Sequence, residues 1–300
     1  MEKQLREFCL KEGISVLWHA PLSDCSSFRI GGPADALLLP DTEKALLSLL
    51  HFLKREGISF RVIGNGTNLL FSDSGVRGAV VSTRHVRGVS IVGNTARAAT
   101  GTPLNVLCRT LADHSLDGFA SLYGIPGTVG GAVFMNAGAF GATISDHLTF
   151  VSVYRTASGK YETYPKDALE FSYRSSAFLT QRDAIILSAE FSLPRGDQEN
   201  ISEKMRQNIA ERMEKQPTAL PCAGSTFLRP KDGYAARYIE DAGLKGARIG
   251  GAAVSVKHAG FIVNLGGATA KDVLSLVELI QRTVEERFGV SLVPEIEYIE

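Results

Sequence analysis

The sequence predicts an α+β protein built from two or three compact lobes, and three observations lead there. Strand-like and helix-like segments are mixed along 300 residues without the strict βαβ rhythm of a doubly wound sheet, and that length exceeds one small core. A glycine-dense, uncharged stretch at 124–141 interrupts the middle of the chain. A strongly charged run at 195–216 then separates the preceding segments from a C-terminal lobe that opens near Pro217.

The first clear helix covers 41–56. Pro40 closes the preceding segment, Asp41 or Thr42 caps the helix, and Gly57 stops it; Leu46, Leu49, Leu50 and Leu53 recur at helical spacing. Residues 58–63 read as a buried strand running into the turn Gly64-Asn65-Gly66. Strands follow at 79–82 and 89–100, with Gly93-Asn94 as a turn. Thr102 and Pro103 are expected at the N-cap and first helical positions of a helix reaching about His114. Strands resume at 148–155 and 184–193, and 195–216 reads as an exposed helix linking two lobes. The C-terminal lobe should hold a helix near 234–241, strands around 248–264, a long helix over 269–288 and a closing strand over 291–299. No internal repeat or low-complexity tract is evident.

Composition narrows the function. Lys plus Arg and Asp plus Glu both number 32, so there is no electrostatic footprint for nucleic acid or an anionic membrane. Any phosphate-bearing ligand must be held by local donors. Cys9, Cys25, Cys108 and Cys222 are scattered with no C-x-x-C pair, and the histidines lack H-x-x-x-H spacing, so no metal site is expected. The charged N-terminus has no apolar signal-peptide core, and no run reaches membrane-spanning length. A cytoplasmic protein acting on small molecules, with no obligate protein partner, is the expectation.

Two loops carry the chemical signal. Residues 64–70, GNGTNLL, follow a strand; glycines let the backbone take positive φ and approach a ligand, while Thr67 and Asn68 add donors. The alternative is a tight turn with a solvated tip. Leu69 breaks the G-x-G-x-x-G dinucleotide fingerprint. Residues 124–141, GIPGTVGGAVFMNAGAFG, should make neither a good helix nor a good strand. They suit a wrap around a flat or diphosphate-bearing ligand, with Thr128 and Asn136 adding specificity; the alternative is a buried, glycine-packed crossing. A G-x-x-x-x-G-K-[ST] phosphate loop is absent.

The two loops in this order, with FSYRSSAF at 171–178, AGSTFLRP at 223–230 and PEIEYIE at 294–300, resemble the UDP-N-acetylenolpyruvoylglucosamine reductase family. SSFRIGGPAD at 26–35, IEDAGLKG at 239–246 and SVKHAGFIVN at 255–264 extend the resemblance over nearly the whole chain. The chain is similar to the shorter class, which lacks an inserted substrate-capping loop. It departs from the family pattern at Asn65, Thr67, Thr226, Leu228-Arg229 and Ala253.

The resemblance implies a two-subdomain FAD-binding fold of the vanillyl-alcohol-oxidase type plus a C-terminal α+β substrate domain. The boundaries it suggests are 1–85, 86–195 and 196–300, with the last strand packing back on the FAD lobes. It implies non-covalent FAD held by Gly64, Asn65, Gly66, Thr67, Asn68, Leu69, and by Gly124, Ile125, Pro126, Gly127, Thr128, Gly130, Gly131, Ala132, Asn136, Ala137 and Gly138. It implies NADPH as the reductant and an enolpyruvyl sugar nucleotide as substrate in peptidoglycan precursor synthesis. Arg174 would grip the substrate carboxylate and stabilise developing charge, Ser225 would donate the proton, and Glu295 would assist it. Tyr173 and Arg229 would touch substrate. Read without the resemblance, Arg174 is a surface ion-pair arginine, Ser225 a turn serine and Glu295 an exposed strand carboxylate. Rival readings are a flavin oxidase acting on another substrate and a flavin-binding module without turnover.

Overall fold

The computed structural model describes residues 2–300. The chain divides into two compact units. The first holds residues up to Trp18, Ala36–Asn65 and Gly78–Glu211; the second holds His19–Asp35, Gly66–Arg77 and Arg212–Glu300.

The first unit contains two apolar cores. One packs the helices Glu2–Glu12 and Glu43–Arg55 with Ala36, Leu38, Ala79 and Val81. Leu46, Leu49, Leu50 and Leu53 are all fully buried, each contributing about 1.5–3 kcal/mol of transfer free energy. Thr42, not Asp41, is the N-cap: its hydroxyl accepts from Ala45 N at 3.1 Å. Strands Ser15–Pro21, Pro33–Leu39, Val76–Ser82 and Phe60–Ile63 form a four-stranded sheet in that order, the last pair parallel.

The second core lies on an antiparallel sheet ordered Lys160–Pro165, Leu148–Arg155, Ala184–Ser192, Thr95–Ala99, Val89–Val92. The helix Leu104–Asp113 buries Leu104, Leu107, Cys108 and Leu111 against it. Its N-cap is Pro103 rather than Thr102. The Thr102 hydroxyl is committed elsewhere, donating to Gly88 O at 3.0 Å and accepting from Gly88 N at 3.1 Å.

The expected boundaries differ from these units. Tyr154 and Leu187 lie on the second sheet yet pack in the first core, and Tyr154 Oη sits 3.2 Å from His51 Nδ1, so the two cores of this unit adjoin. The charged helix Gln198–Lys215 is not a free connector. Ile201 and Met205 are buried in the second core, Asn208 donates to Ala120 O, and Lys204 pairs with Asp117 at 3.0 Å. The first unit extends to Glu211.

In the second unit the helix Ala270–Phe288 buries Val273, Leu276, Val277, Ile280 and Val284. Thr269 and Asp272 form a capping box, Asp73 accepts from Ala270 N and Lys271 N, and Gly289 ends the helix at φ 67°. The helix Ala235–Asp241 and the three strands Arg248–Ile249, Ala252–Val254 and Ile262–Asn264 complete this core with Phe28, Ile30 and Leu70. The closing strand is shorter than expected, Glu297–Ile299, because the residues just before it pair elsewhere: Pro294 bridges Phe227, and Glu295 N donates to Thr226 O. It pairs in parallel with Leu69–Phe71. Among the described residues no helix is long and apolar enough to cross a membrane, and no group of His, Cys, Asp or Glu could hold a metal.

Candidate flavin and substrate site

The two loops meet as side chain on backbone. Asn65 Nδ2 donates to Pro126 O at 2.9 Å, and a Cβ on Gly64 would lie 2.6 Å from Thr128 Oγ1. Gly64 is thus required for close approach and has no positive φ. Gly66 does take φ 63°, and a Cβ there would lie 1.8 Å from Cys25 O. Thr67, Asn68 and Leu69 continue the first loop in the second unit, half-buried.

The second loop corrects one expectation: Val129–Phe134 is a short helix. Glycine is tolerated because the helix lies so close to its neighbour that a Cβ on Gly130 would fall 2.0 Å from Thr100 Oγ1. Backbone bonds pin it there: Leu104 N to Gly127 O, Val129 N to Thr102 O and Gly130 N to Thr100 O. Those N–H groups are therefore not donors for a ligand. What remains is notable chemically. Thr128 Oγ1 and Asn136 Oδ1 are buried without a hydrogen-bond partner. An unmet buried polar atom costs about 1–3 kcal/mol, so this uncharged cradle fits a ligand that supplies partners. Ile125 and Pro126 sit at its rim, Gly131 is exposed, and Ala132 and Ala137 are buried behind it.

Asn136 also joins this loop to the Arg174 segment. At φ 46° it donates through Nδ2 to Ser172 O at 2.8 Å; Ser176 Oγ donates to Phe134 O, and Arg174 Nη2 donates to Gly138 O at 3.1 Å. Ser172 and Ser175 exchange backbone bonds of 3.0 and 3.2 Å, closing a turn that presents Tyr173 and Arg174. Arg174 adopts φ 52°, which costs a non-glycine residue about 1–3 kcal/mol unless the surroundings enforce it. The enforcing bonds are those just named. Its guanidinium lies 5.3 Å from the Tyr173 ring centroid, and Tyr173 is 54% exposed.

Ser225 and Glu295 lie on neighbouring segments of the second unit. Glu295 N donates to Thr226 O at 2.8 Å, Leu228 N donates to Val293 O, and Phe227 bridges Pro294. Ser225 is exposed while Thr226 beside it is 3% exposed, accepting from Ile262 N at 3.1 Å. Thr226 was visible in the sequence as a family departure, but its anchoring role left no local signal. Cys222 is kept protonated by burial, which raises its thiol pKa, so it offers no thiolate near Ser225. Arg229 stacks 4.6 Å from the Tyr234 ring centroid. Arg237 forms an exposed pair with Asp241 at 3.5 Å.

Residues 34–164 match the FAD binding domain family, and residues 216–299 match the C-terminal domain of UDP-N-acetylenolpyruvoylglucosamine reductase. A relative of that name from Caldanaerobacter subterraneus subsp. tengcongensis is 46% identical over 97% of this chain and 95% of its own. The chain belongs to the UDP-N-acetylenolpyruvoylglucosamine reductase family. It is an FAD-containing oxidoreductase. A second family member, from Clostridium botulinum strain Eklund 17B, is 43% identical over 94% of this chain and 92% of its own. The crystal structure of the Thermus caldophilus UDP-N-acetylenolpyruvylglucosamine reductase matches at 33% identity and TM-score 0.78, covering 96% of this chain and 99% of that one.

Proposed function

We propose that this protein reduces UDP-N-acetylglucosamine enolpyruvate to UDP-N-acetylmuramate with NADPH, in the cytoplasm, for peptidoglycan precursor synthesis. The observation that carries the reading is the agreement of near-full-length family membership with an uncharged glycine cradle holding two unmet buried polar atoms. Gly64, Asn65, Gly124–Thr128, Gly130–Ala132 and Asn136–Gly138 form the cofactor's cradle, with Thr128 and Asn136 meeting its polar atoms. Gly66, Thr67 and Leu69 complete the cofactor-binding set. The two cores of the first unit serve as the flavin subdomains, and the second unit serves the substrate.

A flavin bound in this cradle would supply hydride chemistry, with NADPH as the source and the terminal enol-ether carbon as the acceptor. The protein's own tasks concern charge and a proton. Arg174 orients the substrate carboxylate through two parallel hydrogen bonds and opposes the negative charge that develops there. Its turn is fixed by Asn136 and Ser172, so the fork needs little reordering on binding. Ser225 Oγ gives its proton to the neighbouring carbon, and Glu295 supports that transfer. Tyr173 and Arg229 contact substrate from exposed positions, the latter suited to phosphate.

The test is a two-step anaerobic experiment on the purified holoprotein. NADPH should bleach the flavin absorbance, and adding the enolpyruvyl nucleotide should restore it with lactyl ether as product. Bleaching that only oxygen reverses points to an oxidase of another substrate and overturns the proposal; no bleaching at all points to a module without turnover.

A further inference from the structure

We infer that Asn68 is a positioning residue for Glu295, acting with Thr226, rather than a cofactor contact. This rests on the role proposed above for Glu295. Asn68 Nδ2 donates to Glu295 O at 2.9 Å, while Glu297 N donates to Asn68 O at 2.9 Å. One residue of the first glycine loop thus holds the main chain on both sides of Ile296. Beyond it the chains run in register, Leu69 with Glu297, Leu70 with Tyr298 and Phe71 with Ile299.

The other main-chain group of Glu295 is also engaged, since its N–H donates to Thr226 O at 2.8 Å. Thr226 is itself fixed, donating through N to Gly260 O at 2.8 Å and accepting at Oγ1 from Ile262 N at 3.1 Å. Pro294 restricts the approach to Glu295 by its ring-fixed φ. Glu295 is therefore held between Asn68 on one side and the residue next to Ser225 on the other. A carboxylate that must act on a proton from Ser225 needs a fixed separation from it, and an error of about 1 Å at such a site can cost a hundredfold in rate. The family resemblance implied a cofactor contact for Asn68; the bond its amide nitrogen makes within the chain is to Glu295 O.

The test compares Asn68→Ala, Asn68→Asp and Thr226→Val, each alone and each combined with Glu295→Gln. Asn68→Asp keeps the shape but sets a carboxylate oxygen against Glu295 O. We expect each single variant to slow flavin reoxidation by the enolpyruvyl nucleotide by about ten- to a hundredfold. Once Glu295→Gln is present, the same changes should add less than about twofold, because they act through that side chain. FAD affinity of the apoprotein, read by quenching of flavin fluorescence, should stay within about threefold of the parent. Asn68→Asp and Thr226→Val retain volume and serve if Asn68→Ala fails to fold. Multiplicative losses in the double variants, or an FAD affinity lowered tenfold with reoxidation per bound flavin preserved, overturn the inference. A parent protein inert toward the nucleotide, or Glu295→Gln at the parental rate, instead removes the functional reading and the inference with it.

Discussion

Gly130→Ala should destabilise the protein, although helix propensity alone argues the reverse. Alanine in place of glycine inside a helix is worth up to about 1 kcal/mol in its favour. At 130 the new Cβ would lie 2.0 Å from Thr100 Oγ1, about 1.4 Å short of ordinary contact at 3.4 Å, and 3.2 Å from Thr100 Cβ and O. Thr100 is 3% exposed, so rotating its side chain drives the methyl into the same packed space. Moving the backbones apart instead stretches the bond from Gly130 N to Thr100 O, now 2.8 Å. Overpacking of this kind costs about 1–3 kcal/mol. The helix has six residues and position 130 is its second, so the propensity gain is at the low end and the clash wins. For units of about 150–250 residues each kcal/mol lowers the melting midpoint by about 2–4 °C, giving a drop of roughly 2–12 °C. Circular-dichroism melts of the apoprotein measure it, with Thr100→Ala added as relief. A midpoint equal to or above the parent's, or a pair no more stable than Gly130→Ala alone, refutes the packing argument.

Other outcomes follow from the same geometry. Ser225→Ala should leave NADPH reduction of the flavin intact and slow reoxidation by the enolpyruvyl nucleotide on the order of a hundred- to ten-thousandfold, with Cys at 225 restoring part of it; rapid mixing at the parental rate would move the proton to another donor. Denaturation by heat or acid should release intact FAD, and flavin retained on the unfolded chain would contradict non-covalent binding. NADPH and the sugar nucleotide should react in turn, with parallel double-reciprocal plots; a ternary complex of both would defeat this. Burial holds His258 below its ordinary 6.5, with Lys245 lowering and Glu240 raising it, and its Nδ1 accepts from Gly260 N at 3.1 Å. A base depressed in the fold binds fewer protons there than when unfolded. Its contribution is present above pH 6.5 and is lost as pH falls from there toward the lower folded value. His258→Gln should flatten that part of the urea-midpoint profile, and an unchanged slope would assign the loss elsewhere.

Legibility from sequence followed locality. The helix Glu43–Arg55 was readable because Thr42, Gly57 and four leucines all lie within its own span. The capped helix Ala270–Phe288 was readable for the same reason. The helix Glu2–Glu12 was missed because Leu5 and Cys9 are its buried residues amid charge, too few to set a period. The helix Val129–Phe134 contradicted propensity because tertiary closeness to Thr100 decides for glycine. The roles proposed for Arg174, Ser225 and Glu295 leave no sign in the residues themselves and enter through the matched segments. What no window could reveal is that Asn136 reaches Ser172, or Asn68 reaches Glu295, across 36 and 227 positions.

The second unit is assembled from three separate stretches, and this bears on how the chain is made. Phe28, Ile30 and Leu70 belong to a core whose other members all lie beyond position 212. At bacterial-scale elongation of about 5–20 residues per second, those early apolar side chains wait on the order of 10–50 s for their partners. The first unit has its own complete cores by Glu211 and can settle meanwhile. The chain crosses between units at five points, so neither unit can be expressed as one uninterrupted fragment. A nascent chain stalled before the final strand would carry Leu69–Phe71 as an unpaired edge, with open N–H and C=O groups that the finished molecule covers with Glu297–Ile299.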